Sequence, residues 1–461
     1  MRRPNPPKAA HKAVPAALAA AALACLPALA QDGGASVGGD RGITGGADLA
    51  FGLNRGASNR LETRVVADVE SRTTTQLLGL SASGTVLGWS LGGDGEQGDD
   101  WELVDPTAGF RYEREAFDGS FSLRGSVSED KLSFLSATDP GIDLEDPFLD
   151  PTLLLEGDGL RRDTRLSFAL SALEDLPVGV EISGSARNTD YIGTPEGFVD
   201  PETGDPTYLD RRTRTLDAAL RLDVTPLLTT RIGFGFSRAD TDEDFGTYET
   251  RRVSVSADYQ PTERLALEAS LGVAENRRPF SDVSETGATA SFGAAYELPR
   301  GTIGLSYSHV FDVSGARDEI ALRRDIALPG GDSLGVEVGL SRAEGGSVET
   351  IGAVDYVRTG RRSELALSFG RSVRTSVNGS ASTLTTLGAA YRRELTARDG
   401  LTATADYTSV DSVESGRFAV GLDRQLTRDW GLSAGVERRV RNGRDDDAVF
   451  LTLGRRFQIG G

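Results

Sequence analysis

The stretch 265–273 reads LALEASLGV, and it decides the fold that we expect for the whole chain. Its odd-numbered residues are all apolar, whereas Glu268 and Ser270 lie between them. A period of two places alternate side chains on opposite faces of a β-strand. The same alternation returns from residue 47 to the end of the chain in segments of roughly 9–13 residues.

Twenty-two of these segments are candidate strands, and boundary errors allow a count of roughly 18–24. The first three candidates are 47–55, 73–83 and 85–93, and the last is 447–459. Short turns rich in Pro, Gly and Asp follow the even-numbered strands, whereas longer polar links such as 56–72 follow most odd-numbered strands.

An even number of antiparallel strands with turns of unequal length is typical of a bacterial outer-membrane barrel. Lipid offers the backbone no hydrogen-bond partners, so such a sheet must close on itself. We therefore predict an all-β fold, a single transmembrane antiparallel β-barrel over 47–461 in the bacterial cell outer membrane. The alternative, a soluble sandwich or propeller, would bury its apolar face in a core richer in large residues.

The N-terminus has the composition of an export signal. Residues 1–12 are basic, 13–26 are Ala- and Leu-rich, and Ala-Leu-Ala ends the segment at residue 30. We predict a cleaved signal peptide over 1–30 and a short periplasmic segment over 31–46. A buried helix and a lipoprotein signal at Cys25 are the alternatives. Cleavage at Ala30 would remove the single cysteine and with it any disulfide or thiolate chemistry.

Charge and motifs exclude several functions. Residues 1–30 contain four of the 50 basic residues and none of the 69 acidic ones, so the remainder carries a net charge of −23. This balance argues against nucleic-acid binding.

His309 falls among lipid-facing residues, and no hydrolase, metalloprotease or phosphate-loop motif occurs, so we expect no enzyme and no cofactor. The acidic loop 130–160 lacks calcium-loop spacing, which favours a solvated loop over a metal site.

Alternation also predicts which charged side chains face the lumen. An excess of acids in a wet pore would give mild cation preference; alternatively, the charges satisfy one another. The candidate pore-lining residues are Glu181, Asp217, Arg221, Asp223, Arg252, Asp258, Glu268, Glu337, Glu364, Asp423 and Glu437.

Paired arginines recur near strand ends, and alternation sends one member of each pair outward. At an outer rim these side chains would either be solvated or meet the phosphates of lipopolysaccharide, which we expect as a partner together with outer-membrane lipid. Strict alternation also places Arg324 and Arg455 on the lipid face. Snorkelling or a β-bulge would accommodate them.

The last strand carries a polar-x-Gly-x-x-apolar-x-apolar pattern formed by Thr452, Gly454, Phe457 and Ile459. The pattern resembles the terminal signal that the barrel-assembly machinery recognises. It predicts that machinery and periplasmic chaperones as further partners.

Several segments resemble the outer-membrane β-barrel (porin type 2-like) proteins of alphaproteobacteria. They are DPTAGFRYERE (105–115), RRDTRLSFALS (161–171), the repeated L-P-x-G turns, DWGLSAG (429–435) and VFLTLGRRF (449–457). The resemblance implies an outer-membrane barrel without a defined activity, in a group sometimes considered with surface polysaccharide systems.

Twenty-two strands is also the number found in plugged outer-membrane transporters. The segment 31–46 is too short to fill a wide lumen, so the sequence favours an open or loop-constricted channel. We expect porin-like passive diffusion of small hydrophilic solutes or ions with mild cation preference. The alternatives are a loop-sealed scaffold and a conduit, each associated with surface polysaccharide binding or export.

Overall fold

A computed structural model gives the fold of this protein. It describes residues 42–55, 60–90, 102–131, 159–192, 210–241, 246–279, 283–375, 381–410, 413–441 and 444–459. The predicted signal peptide, and nearly all of the acidic loop 130–160, lie outside these ranges. No helix in the described ranges is long and apolar enough to span a bilayer.

The described residues form 22 strands of 11 to 16 residues. They are β1 Gly42–Arg55, β2 Arg60–Arg72, β3 Gln76–Ser90, β4 Glu102–Ala116, β5 Gly119–Lys131, β6 Leu160–Ala172, β7 Val178–Ile192, β8 Arg211–Thr225, β9 Leu228–Thr241, β10 Thr247–Thr262, β11 Leu265–Arg277, β12 Glu285–Leu298, β13 Gly301–Asp312, β14 Gly315–Ala327, β15 Ser333–Ala343, β16 Val348–Thr359, β17 Ser363–Thr375, β18 Ala381–Glu394, β19 Asp399–Val410, β20 Val413–Gln425, β21 Trp430–Arg441 and β22 Arg444–Ile459.

The sheet closes into a barrel. Each strand pairs antiparallel with the next one in the chain, and β22 pairs with β1 from Gly45↔Ile459 to Arg55↔Val449. Closure leaves no unpaired edge, which is the condition for placing a sheet in lipid. The predicted fold class and strand count are confirmed.

The outer face of the barrel is an apolar belt. Leu216, Phe234, Val253 and Leu271 are examples of its large side chains, and Leu271 is 69% exposed. Soluble proteins rarely expose a continuous apolar surface of this extent, because it would drive association. A closed barrel with such a belt lies in the bacterial outer membrane, in agreement with the predicted localisation.

Connection lengths orient the barrel. Short turns such as 117–118 and 226–227 follow even strands, and both described chain ends lie at that same end. Short turns mark the periplasmic end of outer-membrane barrels, so the opposite end is the outer one. The first strand begins at Gly42, five residues before the predicted start of the barrel.

Two early strand assignments from the sequence are wrong. Residues 56–72 are not a loop, because most of them form β2, and 73–83 and 85–93 are not two strands, because β3 runs through both. The register between β3 and β4 shifts between Ser83 and Thr85. The extra residue of this bulge lies in β4, at Asp105 and Pro106, so the alternation of β3 itself is unbroken. The sequence-based division of β3 falls at Gly84, which resembles a turn residue.

The two arginines on the lipid face lie near the periplasmic end. Neither β14 nor β22 has a register shift, so a bulge does not accommodate them. The Arg455 guanidinium lies over the rings of Trp430, at 5.4 Å, and Phe457, at 4.6 Å. Arg324 is three residues from the end of β14. An interfacial position lowers the cost of an outward arginine to about 0–1 kcal/mol.

Candidate functional site

The lumen wall is the candidate functional site, since it carries most of the polar side chains of the strands. The strand register places all eleven predicted pore-lining residues on the face opposite the apolar belt. Most lie in the periplasmic half of the wall; Arg252 and Glu437 lie further toward the outer end.

Ion pairs within strands and between strands neutralise much of this wall. Arg323 is the centre of one group, with Asp325 at 3.1 Å, Glu337 at 3.7 Å and Asp355 at 4.0 Å. Glu437 is the centre of another, with Arg417 at 3.0 Å and Arg439 in contact. The residues of these groups come from three consecutive strands in the first case and two in the second.

Three further pairs follow the same rule on β8–β10. Arg252 lies 3.7 Å from Asp217, Arg221 lies 3.4 Å from Asp223, and Arg231 contacts Asp258. Seven of the eleven predicted lining residues therefore belong to ion pairs, which is the alternative that the sequence left open.

The other four predicted lining residues are all acids. Glu181, Glu268, Glu364 and Asp423 form no ion pair with any residue in the described ranges, although Ser433 donates a hydrogen bond of 2.6 Å to Asp423. The charge that remains after pairing is therefore negative at these positions.

A recess of 430 Å³ in the wall brings several of these groups together. Glu181, Asp217, Arg231 and Arg252 line it, with Ser254 and other small polar residues between them. Carboxylates, guanidiniums and hydroxyls supply both donors and acceptors. The recess has the chemistry to bind a polar solute from the lumen.

Many inward-facing residues near the outer strand ends are buried, in contrast to those of the periplasmic half. The side chains of Asp217 and Arg252 are 53% and 56% exposed, whereas thirteen inward-facing residues near the outer ends of nine strands are buried. We call this group of buried residues the outer collar. It comprises Arg161, Asp163, Thr189, Ala239, Ala274, Asn276, Ser341, Ala343, Ile351, Arg374, Leu384, Thr408 and Val410.

The most polar part of the outer collar surrounds Asp163, which is 3% exposed. Its carboxylate accepts hydrogen bonds from Arg187 Nε at 3.0 Å and Thr189 Oγ1 at 2.7 Å, and Arg161 Nη2 lies 3.1 Å away. Burying a carboxylate is costly unless several partners compensate it. Asp163 has such partners, so this part of the collar excludes water.

Contacts elsewhere also narrow the outer end. Arg317 on β14 donates a 2.9 Å hydrogen bond to the carbonyl oxygen of Val373 on β17, past two intervening strands. Ile351, Leu384 and Val410 face inward at positions where alternation predicts polar residues. Sequence reasoning missed the collar, and these apolar residues on the luminal face were the signal that could have revealed it.

His309 takes no part in the lumen. It lies on the outward face as predicted, with Nδ1 2.8 Å from Asp318, and Tyr307 donates its hydroxyl to the same carboxylate at 3.0 Å. Among the described residues, no group of His, Cys, Asp and Glu side chains is arranged to hold a metal ion.

The predicted assembly-signal residues Thr452, Gly454, Phe457 and Ile459 lie on β22, the strand that closes the barrel against β1. Their recognition by the assembly machinery, and the role of periplasmic chaperones, stay predictions.

Comparison with known proteins supports the fold and gives no family. No family model matches the chain, and no curated protein matches it. Solved structures do match. The siderophore receptor PirA from Pseudomonas aeruginosa has a TM-score of 0.55 at 10% identity, over 92% of this chain and 81% of that one.

Two further structures give the same result. The ferric-catecholate import receptor Fiu from E. coli K12 has a TM-score of 0.57 at 10% identity, over 89% of this chain and 81% of that one. The FrpB iron transporter from Neisseria meningitidis has a TM-score of 0.60 at 9% identity, over 90% of this chain and 81% of that one. At such low identity the likeness concerns the barrel fold alone.

Proposed function

We propose that this protein carries a hydrophilic solute across the outer membrane through a gated lumen. The observation that carries the proposal is the outer collar. A freely open pore would leave inward-facing side chains hydrated along its whole length, whereas here Arg161 and Asn276 are 2% and 1% exposed. We infer that the lumen is a vestibule that is wet on the periplasmic side and narrowed at the outer collar.

The likeness to structures of siderophore receptors and an iron transporter supports a gated receptor over an unselective porin. The passive pore expected from the sequence accounts for the polar wall and leaves the collar unexplained. We retain mild cation preference as part of the proposal, because the lining residues without ion pairs are acids. Membership of the porin type 2-like group remains a proposal based on the sequence segments alone.

Conductance across a planar bilayer tests the proposal. We expect the wild-type barrel to be mostly silent, with brief, weakly cation-selective openings. Replacing two large apolar collar residues, in an I351A/L384A variant, should raise the open probability because it removes packing at the outer end. The matched control is V354A/L387A, which shortens two outward, lipid-facing residues on the same strands, β16 and β18.

Each outcome decides between the candidate functions. A wild-type barrel that conducts continuously would show an open porin and refute gating. Complete silence of the wild type and of the folded I351A/L384A variant would refute transport and favour the sealed scaffold. An equal increase in the V354A/L387A control would attribute the openings to general loosening of the barrel.

A further inference from the structure

The outward face of β8–β11 carries a charged surface above the apolar belt. We call it the rim patch. It comprises Arg212, Arg214, Arg238, Asp240, Glu249, Arg251, Glu275 and Arg277. Five arginines face three carboxylates here, in a chain whose net charge is −19. A local basic excess on a strongly acidic protein points to an anionic partner.

The height of the rim patch on the barrel identifies the layer of membrane that it meets. Val253, two residues below Arg251 on β10, is 54% exposed, and Val273, two residues below Glu275 on β11, is 52% exposed. Two residues along a strand span about 7 Å. The arginines therefore begin where the lipid-facing side chains end, at the outer end of the barrel.

The carboxylates of the rim patch orient the arginines without neutralising all of them. Glu249 lies 3.4 Å from Arg238 and 3.5 Å from Arg251, and directly opposite Arg277 in the register. By contrast, no carboxylate in the described part of the chain lies within ion-pair distance of Arg212, Arg214 or Arg277, although Asp240 lies directly opposite Arg212 in the register and attracts Arg214. A polar cleft of 180 Å³ lies between Glu249, Arg251, Glu275 and Arg277.

We propose that the rim patch binds the phosphorylated saccharide headgroup of an outer-leaflet lipid. A guanidinium matches the geometry of a phosphate through two parallel hydrogen bonds, and it keeps its charge at any pH of interest. Unpaired arginines at headgroup height, with apolar side chains directly below for the acyl chains, fit both parts of such a lipid. The proposal does not depend on the transport function.

Binding of lipid A tests the proposal in the detergent-solubilised full-length protein. We expect the wild type to bind lipid A with both phosphates at least about tenfold more tightly than fully dephosphorylated lipid A, because charge-assisted contacts are lost. An R212Q/R214Q/R277Q variant should lose this preference. The matched control is R438Q, since Arg438 is also outward near the outer end and half-exposed, but lies beside Asp445 and Asp447.

Several results would overturn the proposal. They are equal affinity of the wild type for the two lipids, an unchanged preference in R212Q/R214Q/R277Q, and an equal loss in R438Q. Displacement of lipid A by millimolar inorganic phosphate would assign the surface to free phosphate. Heat-dependent mobility in gels shows whether the triple variant is folded. If it is not, the comparison of the two lipids on the wild type still tests whether the phosphates are recognised.

Discussion

Asp163→Asn probes the most deeply buried carboxylate in the described part of the lumen wall. The substitution keeps the shape of the side chain and an oxygen for the Thr189 hydroxyl, but it removes the negative charge. Arg161, of which 2% is exposed, and Arg187 then lose their carboxylate partner. Breaking a buried ion pair in this way costs about 3–5 kcal/mol, because a buried guanidinium is left uncompensated.

Glu113→Gln is the matched comparison on the same luminal face. Glu113 also has two arginine partners, Arg111 at 3.0 Å and Arg124 at 2.7 Å, but the side chain of Arg124 is 61% exposed. Water replaces the lost partner there, so we expect a cost of about 0–1 kcal/mol. The two substitutions differ in burial and not in the kind of interaction removed.

The measurement is urea unfolding of the barrel in lipid vesicles, followed by tryptophan fluorescence and compared through the midpoint and slope. The D163N variant should lose at least about 2 kcal/mol more than E113Q, the difference between the two costs. A difference below about 1 kcal/mol would refute the argument, since it would mean that Asp163 is hydrated in the folded barrel. An R161Q/D163N variant should recover part of the loss, because it removes both charges of one pair.

Three further predictions concern packing, the lipid interface and ion selectivity. In G435A the new methyl group would overlap the Val420 carbonyl oxygen and the Phe450 ring, so urea unfolding should show a loss of about 1–3 kcal/mol. The control G431A places its methyl group in open space and should change stability by less than about 1 kcal/mol. R455A should change stability by less than about 1 kcal/mol. The substitution removes the contacts with the rings of Trp430 and Phe457, and it also removes the cost of a charge at the lipid interface, so the two effects offset each other. A gain in stability above about 2 kcal/mol would place Arg455 at the bilayer midplane. E268Q/E364Q should reduce cation preference, measured as a reversal potential in a salt gradient, whereas the ion-paired E337Q should reduce it less.

The strand count and the facing of side chains could be predicted because alternation is a local property. Seven of the eleven lining residues have apolar neighbours on both sides in their own strand, and the other four have one on at least one side, which determines their face. The prediction failed at β2 and β3, although their mutual register is continuous from Leu61↔Gly88 to Arg72↔Leu77. Gly84 within β3 resembles a turn residue, and the many charged residues of β2 resemble a polar loop, so local composition misplaced both strands.

The ion pairs and the collar could not be predicted in the same way. Arg323 meets Glu337 and Asp355 because the register of β14, β15 and β16 aligns them, and turn composition does not fix that register. The collar requires knowledge of which luminal positions lose contact with water. That is a property of the assembled barrel, since Asp163 and Asp217 both face the lumen and yet differ greatly in exposure.

The outer collar joins the stability of the barrel to its proposed opening. Closing the collar removes the Asp163 carboxylate and the Arg161 guanidinium from water, and their attraction offsets this desolvation only while both remain charged. Opening would return both groups to water and recover their hydration. Loss of the Asp163 charge therefore disfavours the closed collar, because Arg161 can then be stabilised only by hydration. The instability of D163N should accordingly be accompanied by a higher open probability in planar bilayers, while E113Q, whose partners are already hydrated, should conduct like the wild type. A D163N barrel that is destabilised yet remains as silent as the wild type would separate the buried charge from gating.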